Sequence, residues 1–289
     1  MICTRCPRNC LADREAGEIG LCGASFGIRV GRVMLHPWEE PCLGEKSGAI
    51  FFSHCPLSCV YCQNQAISRG QAPGEIWNTV RLAAEMLSLQ KNGAENIDLV
   101  SPTQYAWEIR DALAAVKDSL QIPVVWNTGG YERAEVIRSL RGLVDIFLTD
   151  FKYGTPALAE AYSGAPDYPE VAARALSEMH EAVGDPIFDG DRMKRGIILR
   201  HLVLPGGRKD SVRALSLAAQ AVPPTGVILS LMRQYTPDFA PREIKTLTRR
   251  VTTFEYEAVR EHALSLGFDG FSQDADSATA AYTPEFAGE

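Results

Sequence analysis

Cysteine placement is the feature that most restricts the structure of this chain. All eight cysteines of the 289 residues lie within the first 62 positions, and the rest of the chain has none. A protein held together by disulfides spreads its bridges through the fold, whereas close groups of cysteines in an intracellular chain more often bind metal. The sequence therefore predicts metal binding near its start. The cysteines are Cys3, Cys6, Cys10, Cys22, Cys42, Cys55, Cys59 and Cys62.

After the cysteine-rich start, the chain alternates short apolar runs with amphipathic helical patterns. This alternation indicates an α/β fold with a parallel sheet covered by helices. Periodicity alone leaves two architectures open, a doubly wound sheet and an incomplete β/α barrel. A capping box, Thr252 with Glu255, is predicted to begin the last helix, and the longer segment 155–194 to add two helices and a turn-rich stretch. The six predicted strands are 49–53, 97–101, 123–127, 144–150, 196–204 and 226–232.

Three cysteines follow the first predicted strand in the pattern C-x3-C-x2-C, namely Cys55, Cys59 and Cys62. Three thiolates on so short a loop can bind three irons of a four-iron four-sulfur cluster, whereas an electron-transfer cluster normally takes four cysteines. The fourth iron would keep an open position, which is the mark of a catalytic metal site. The alternative is a zinc site of the same cysteines, completed by His54 or by a distant residue.

With Tyr61 directly before its last cysteine, this loop resembles the CxxxCxxC signature of the radical S-adenosylmethionine (radical SAM) superfamily. The resemblance implies a partial (β/α)6 barrel with a 4Fe-4S cluster on the three cysteines and S-adenosylmethionine (SAM) on the open iron. It implies an oxidoreductase or activase in which an electron from the cluster cleaves SAM to methionine and a 5′-deoxyadenosyl radical. That radical abstracts hydrogen from a substrate, here unidentified. By the same resemblance Tyr61 lies near the adenine.

Four segments are similar to the uncharacterised relatives of pyruvate formate-lyase activating enzyme. They are 51–55 (FFSHC), 62–65 (CQNQ), 200–206 (RHLVLPG) and 232–235 (MRQY). A glycyl-radical enzyme activating enzyme is one alternative function, of the kind that lacks a cysteine-rich insert, because no cysteine follows Cys62. The other alternative is a non-catalytic metal-binding scaffold.

Polar residues end the predicted strands, where β/α barrels carry their chemistry. By resemblance, Ser101 and Thr103 stand where the family has a Gly-Gly-Glu stretch that contacts the methionine amino group; the Glu is missing, and Thr103 is preferred. Asp150 and Lys152 match an Asp-x-Lys of glycyl-radical activating enzymes, and their alternative role is a salt bridge. Arg200 suits a carboxylate or a phosphate. The residues expected to bind the cosubstrate are Tyr61, Ser101, Thr103, Asn127, Asp150, Lys152, Arg200 and Met232.

Four cysteines precede the barrel in the pattern C-x2-C-x3-C-x11-C. Four thiolates suffice for a closed zinc site or for a fully ligated iron-sulfur cluster, and the spacing does not decide between them. The surrounding stretch is too small to bury a core, so a bound metal would supply its folding energy. We therefore expect two domains, a metal module at 1–46 and a radical SAM barrel at 47–289 with a C-terminal helix and tail. The four cysteines are Cys3, Cys6, Cys10 and Cys22.

Charge and hydropathy narrow the expected partners. The chain has a net charge of −7 without a long basic block, which argues against extended contact with nucleic acid. No apolar run reaches the roughly 18 residues of a membrane span, and the N-terminal residues lack the layout of a signal peptide, so a cytoplasmic location is expected. The expected partners are SAM and a reducing flavodoxin or ferredoxin, with a protein substrate left open.

Overall fold

The computed structural model describes residues 2–37, 39–69 and 72–273, and within them it shows a mixed α/β fold built on ten strands. The strands are β1 (Ile28–His36), β2 (Ser47–Phe52), β3 (Glu75–Trp77), β4 (Asn96–Val100), β5 (Val124–Thr128), β6 (Ile146–Asp150), β7 (Ile187–Asp189), β8 (Arg192–Leu202), β9 (Ile228–Met232) and β10 (Gly270–Ser272). The helices are α1 (Gln65–Ser68), α2 (Thr79–Lys91), α3 (Ala106–Val116), α4 (Ala134–Ser139), α5 (Pro156–Ser163), α6 (Tyr168–Val183), α7 (Arg208–Ala221) and α8 (Thr253–Ser265).

The sheet has the strand order β10-β9-β8-β6-β5-β4-β2-β1-β3, with β7 attached to β8. From β2 to β10 along this order, neighbouring strands pair in parallel, whereas β1 is antiparallel to both β2 and β3. In the part of the chain that the structure describes, β3 and β10 are the two edges, so the barrel is not closed. The predicted α/β class with a parallel sheet is confirmed, and each predicted strand overlaps one of β2, β4, β5, β6, β8 and β9.

Four strands were not predicted from the sequence, and three of them are only three residues long. The longer one, β1, falls inside the segment assigned to the metal module and pairs with β2, where Met34 faces Ala49 in the register. Its register shifts between Val30 and Arg32, which breaks the two-residue period that marks a strand. β1 therefore joins part of the segment 1–46 to the main sheet. A domain boundary after residue 46 stays a prediction.

The two faces of the sheet are covered differently. Helices pack on the face that carries Leu99, Trp126 and Phe147. On the other face, Val125 and Ile198 pack against Cys42 and Leu43, which lie in a short 3-10 helix between β1 and β2. This segment fills the inner face along part of the strands and leaves room at their carboxyl ends.

The two helices of the elaborated segment and the last helix match the sequence prediction, whereas the stretch predicted to be turn-rich contains the unpredicted strand β7. Pro156 begins α5, and α6 follows it, ending at Val183. Thr252 and Glu255 form the predicted capping box at the start of α8. Gly267, with φ of +91°, closes this helix, where the N–H of Phe268 donates to the carbonyl of Ala263 over 3.1 Å. Of the predicted C-terminal tail, residues 274–289 lie outside the described residues.

Membrane insertion was not expected from the sequence. Across residues 2–37, 39–69 and 72–273, every helix is too short or too polar to cross a bilayer.

Candidate functional site

A cavity of about 640 Å³ opens at the carboxyl ends of the parallel strands, on the face away from the helices. It brings together the cysteine triplet and most of the residues predicted to bind the cosubstrate. Those that line it are Cys55, Cys59, Cys62, Tyr61, Ser101, Asn127, Asp150, Lys152, Arg200 and Met232.

The triplet lies on a tight loop that follows β2. The hydroxyl of Ser58 donates to the carbonyl of Cys55 over 3.1 Å, and the N–H of Cys62 donates to the carbonyl of Cys59 over 3.1 Å. His54 and Ser58 have φ of +73° and +47°, a left-handed conformation that is unfavourable for residues other than glycine. Such strained backbone persists where the surrounding structure holds it, and it concentrates at functional sites.

The Cys55 and Cys62 thiols are poorly suited to nucleophilic chemistry. Burial, followed by the nearby Cys59 and Cys62 thiols, raises the pKa of Cys55 to about 12. Burial also raises the pKa of Cys62. Thiols in this state are protonated and inert at neutral pH, whereas a bound metal displaces the proton from a coordinating thiol.

The spacing of the thiols bears on which metal group would fit. In the described part of the chain, no three His, Cys, Asp or Glu side chains lie close enough to hold one metal ion. A single zinc ion requires every sulfur at about 2.3 Å from one centre. An iron-sulfur cluster allows a wider arrangement, because each cysteine binds a different iron. Three thiols on one cavity wall therefore fit a cluster better than zinc.

Tyr61 lines the cavity and is almost fully buried. Its ring meets those of Tyr162 and Tyr235 edge to face, at centroid distances of 6.0 and 6.2 Å. Its hydroxyl donates to that of Tyr153 over 3.0 Å. The ring is thus fixed in orientation beside the cysteines, and contact with an adenine stays a prediction.

Both cations of the cavity are paired with carboxylates. Lys152 donates to Asp150, which is the salt bridge considered as the alternative for these residues. Arg200 donates from Nε and Nη2 to the two carboxylate oxygens of Glu40, each at 2.6 Å, and it also donates to Glu39. Burial opposes the charge on Arg200, but the two carboxylates outweigh it and raise the pKa of the guanidinium well above its usual range. Both cations are thus paired within the chain, and their contact with an anionic cosubstrate stays a prediction.

Acidic residues at the cavity and next to it were not predicted as site residues from the sequence. Asn127 donates to Asp98 over 3.2 Å, and burial followed by the charge of Glu39 raises the pKa of Asp98 well above its usual range. His36, Glu39 and Glu40 line the same cavity. These three residues precede the first predicted strand, whereas the predicted site residues lie on the cysteine loop and at the strand ends. The sequence feature that could have indicated them is the pair of adjacent carboxylates, Glu39 and Glu40, close to Cys42.

Thr103 lies outside the cavity lining. It sits in a 3-10 turn that begins after Ser101 and Pro102, and its hydroxyl donates to Glu132 over 2.6 Å. Ser101, with φ of +57°, lines the cavity. Contact of either residue with SAM, and the preference for Thr103, stay predictions.

The four N-terminal cysteines also converge. A Cβ atom on Gly20 would lie 3.4 Å from both the Cys10 and the Cys22 sulfurs, so these two sulfurs lie close to the same backbone position. Arg14 donates to the Cys22 sulfur over 3.3 Å. Burial raises the pKa of Cys6 to about 12, and the Cys22 and Cys3 thiols contribute in the same direction. We call Cys3, Cys6, Cys10 and Cys22 the four-cysteine group. As at the triplet, no three of its thiols lie close enough to hold one metal ion, and its ligand, zinc or iron-sulfur, stays a prediction.

No protein-family model matches this chain. An uncharacterised protein of Methanocaldococcus jannaschii is 28% identical over 274 residues, which cover 92% of this chain and 75% of that protein.

Two solved structures resemble the fold. Methylornithine synthase (PylB) superposes with a TM-score of 0.52 at 13% identity, over 78% of this chain and 66% of that one. SuiB of Streptococcus suis, solved with its precursor peptide SuiA, superposes with a TM-score of 0.51 at 11% identity, over 85% of this chain and 51% of that one. This chain thus spans less than two thirds of either structure. Both proteins are radical SAM enzymes, and the likeness establishes that this chain has a mixed α/β fold similar to theirs.

Proposed function

We propose that this protein is a radical SAM enzyme that reductively cleaves SAM at a 4Fe-4S cluster held by Cys55, Cys59 and Cys62. The observation that carries the proposal is the position of the three thiols on one wall of a cavity at the strand ends. The similarity of the fold to radical SAM enzymes supports it. A non-catalytic scaffold has no need of such a cavity lined with polar side chains.

When bound, the cluster supplies the electron that splits SAM into methionine and a 5′-deoxyadenosyl radical, which then takes a hydrogen atom from the substrate. The chain contributes the binding site. Cys55, Cys59 and Cys62 would hold three irons of the cluster and leave the fourth for SAM, and Tyr61 lines the same cavity. Asp150, held by Lys152 and by its place at the end of β6, can accept hydrogen bonds from the ribose or amino group of SAM.

Substrate and partners belong to this proposal as well. SuiB was solved with a precursor peptide, which keeps a peptide or protein substrate open for this chain. A reducing flavodoxin or ferredoxin is the proposed electron donor. The four-cysteine group is proposed to hold zinc or an auxiliary iron-sulfur cluster.

The decisive experiment replaces all three triplet cysteines by alanine in the full-length protein and reconstitutes it anaerobically with iron and sulfide. Incubated with SAM and a reductant, wild-type protein should form 5′-deoxyadenosine and methionine, and the triple variant should form neither, because its cluster has no ligands.

The matched control is Cys42→Ala, since Cys42 is a buried cysteine that packs in the core away from both cysteine groups. It should keep full SAM cleavage. Undiminished 5′-deoxyadenosine formation by the triple variant would show that the proposed function is wrong.

A further inference from the structure

The sulfur of Cys59 accepts a hydrogen bond from Ser163, the last residue of α5, whose hydroxyl oxygen lies 3.0 Å away. The Tyr153 hydroxyl lies 2.6 Å from that of Ser163, and Tyr61 donates to Tyr153 over 3.0 Å. Each hydroxyl has one proton to donate, so the bonds run in one direction, from Tyr61 through Tyr153 and Ser163 to the sulfur. All four side chains are buried, so water does not compete for these bonds.

Arg8 holds the backbone of Ser163 in place. Its guanidinium donates to the carbonyls of Ser163 and Gly164, which end α5 and have no partner within the helix. Its Nε also donates to the carbonyl of Pro56 over 2.7 Å, within the triplet loop. The guanidinium carbon stands 5.4 Å from the centre of the Tyr131 ring, which limits its rotation. The Arg8 side chain therefore holds the triplet loop next to the end of α5.

The backbone of Arg8 lies in the chain segment that carries the four-cysteine group. Arg8 lies midway between Cys6 and Cys10, two residues from each. The backbone that carries these two cysteines thus connects, through the Arg8 side chain and Ser163, to the Cys59 sulfur.

We propose that Arg8 is a positioning residue through which the four-cysteine group holds Ser163 against Cys59, and that this contact sets the reduction potential of the cluster at the triplet. The inference rests on the proposed function, because it needs a cluster on Cys55, Cys59 and Cys62. Reduction adds negative charge to a cluster and its thiolates, and a hydrogen bond to a sulfur stabilises the reduced form. Loss of the Ser163 donor therefore makes the potential more negative.

The test is a redox titration of anaerobically reconstituted full-length protein, followed by the paramagnetic resonance signal of the reduced cluster, with iron counted in every sample. Ser163→Ala should lower the reduced-to-oxidised ratio at a fixed potential about tenfold, which is about 59 mV for a one-electron couple. Ser163→Thr keeps a hydroxyl and should restore the wild-type potential. Arg8→Ala should shift the potential in the same direction as Ser163→Ala.

The double variant Arg8→Ala with Ser163→Ala should be no more negative than Ser163→Ala, because Arg8 acts through the serine. Arg174→Ala is the control, since Arg174 is an exposed arginine of α6 that pairs with Glu170, and it should leave the potential unchanged. A wild-type potential in Ser163→Ala overturns the inference, as does an additive shift in the double variant. If Arg8→Ala does not fold, the comparison of Ser163→Ala with Ser163→Thr still tests whether the Ser163 hydroxyl sets the potential. A wild-type protein that takes up no iron at the triplet overturns the proposed function too.

Discussion

Arg200 shows how a single buried cation determines the arrangement of its neighbours. Its guanidinium and the Glu40 carboxylate are 18% and 6% exposed, so each would be unstable in the interior without the other. The bidentate contact matches the planar guanidinium to the carboxylate, and Glu39 adds a second acceptor. The interaction joins β8 to the segment that follows β1, across the inner face of the sheet.

We predict that Arg200→Ala lowers the free energy of unfolding by about 3 kcal/mol, because it leaves two carboxylates buried without a counterion. Urea denaturation followed by circular dichroism measures the change. Arg192→Ala is the control; Arg192 pairs with Glu95 at the surface, and its loss should cost less than about 1 kcal/mol.

A second variant separates lost charge pairing from lost packing. Arg200→Met combined with Glu39→Gln and Glu40→Gln removes every unpaired charge and should recover most of the stability. Equal stability of Arg200→Ala and wild type would mean that this ion pair does not hold the segment in place.

At the scale of elements, helix α8 is anchored by the carboxylate of Glu255. Thr252 accepts the Glu255 N–H over 3.2 Å, and Glu255 accepts the Thr252 N–H over 3.0 Å. Glu255 also accepts from the Gly206 N–H over 2.8 Å and from Arg249. The hydrogen bond from Arg249, together with those from the backbone, holds the pKa of this carboxyl well below its usual range. One carboxylate thus caps α8 and ties it to the loop before α7.

Glu255→Gln should lower the free energy of unfolding at pH 7 by about 1 to 2 kcal/mol, since the capping bonds lose their charge. The folded carboxyl has a lowered pKa, so its stabilising effect is complete above the unfolded pKa of about 4.3. The effect declines as pH falls below about 4.3 and is gone only once pH has fallen through the folded value. Denaturation curves from pH 7 down to pH 3 should therefore show the two proteins converging.

Glu257→Gln provides the comparison, because Glu257 lies on the same helix in an exposed pair with Arg260. Its substitution should change stability by less than about 0.5 kcal/mol at any of these pH values. A constant gap between Glu255→Gln and wild type across the range would contradict the assigned role of the charge.

At the scale of the whole molecule, the N-terminal segment is joined to the sheet by contacts that span the chain. Arg14 donates to the carbonyl of Gln104 over 2.7 Å, and the Gln104 side chain donates in turn to the carbonyls of Ser53, His54 and Ser101. These carbonyls lie directly after β2 and β4. The segment therefore supports the loops that carry the site, although it holds a metal group of its own in our proposal.

Cys6→Ala should remove the N-terminal metal and lower the unfolding midpoint by about 4 to 8 °C, which corresponds to about 2 kcal/mol in a chain of this size. The cluster at the triplet should remain, because its three ligands are separate. Elemental analysis and thermal denaturation measure both effects, with Cys42→Ala as the control that keeps both metals. Loss of the triplet iron together with the N-terminal metal would show that the two groups form one site.

The sequence by itself determined what depends on neighbouring residues. The C-x3-C-x2-C loop after an apolar strand, the six parallel strands and the capping box of α8 are local patterns, and the structure contains each of them. Their physics is set within a few residues, by side-chain period and by backbone hydrogen bonds between near neighbours.

Only the tertiary structure decided which distant groups meet. Arg200 and Glu40 are 160 positions apart, and Ser163 and Cys59 are 104 positions apart. The order of strands in the sheet brings these pairs together, and periodicity carries no information about that order. Thr103 turns from the cavity to Glu132 because the chain enters a 3-10 turn there. A buried charge takes the partner that the packed fold places beside it, and residue type alone does not identify that partner.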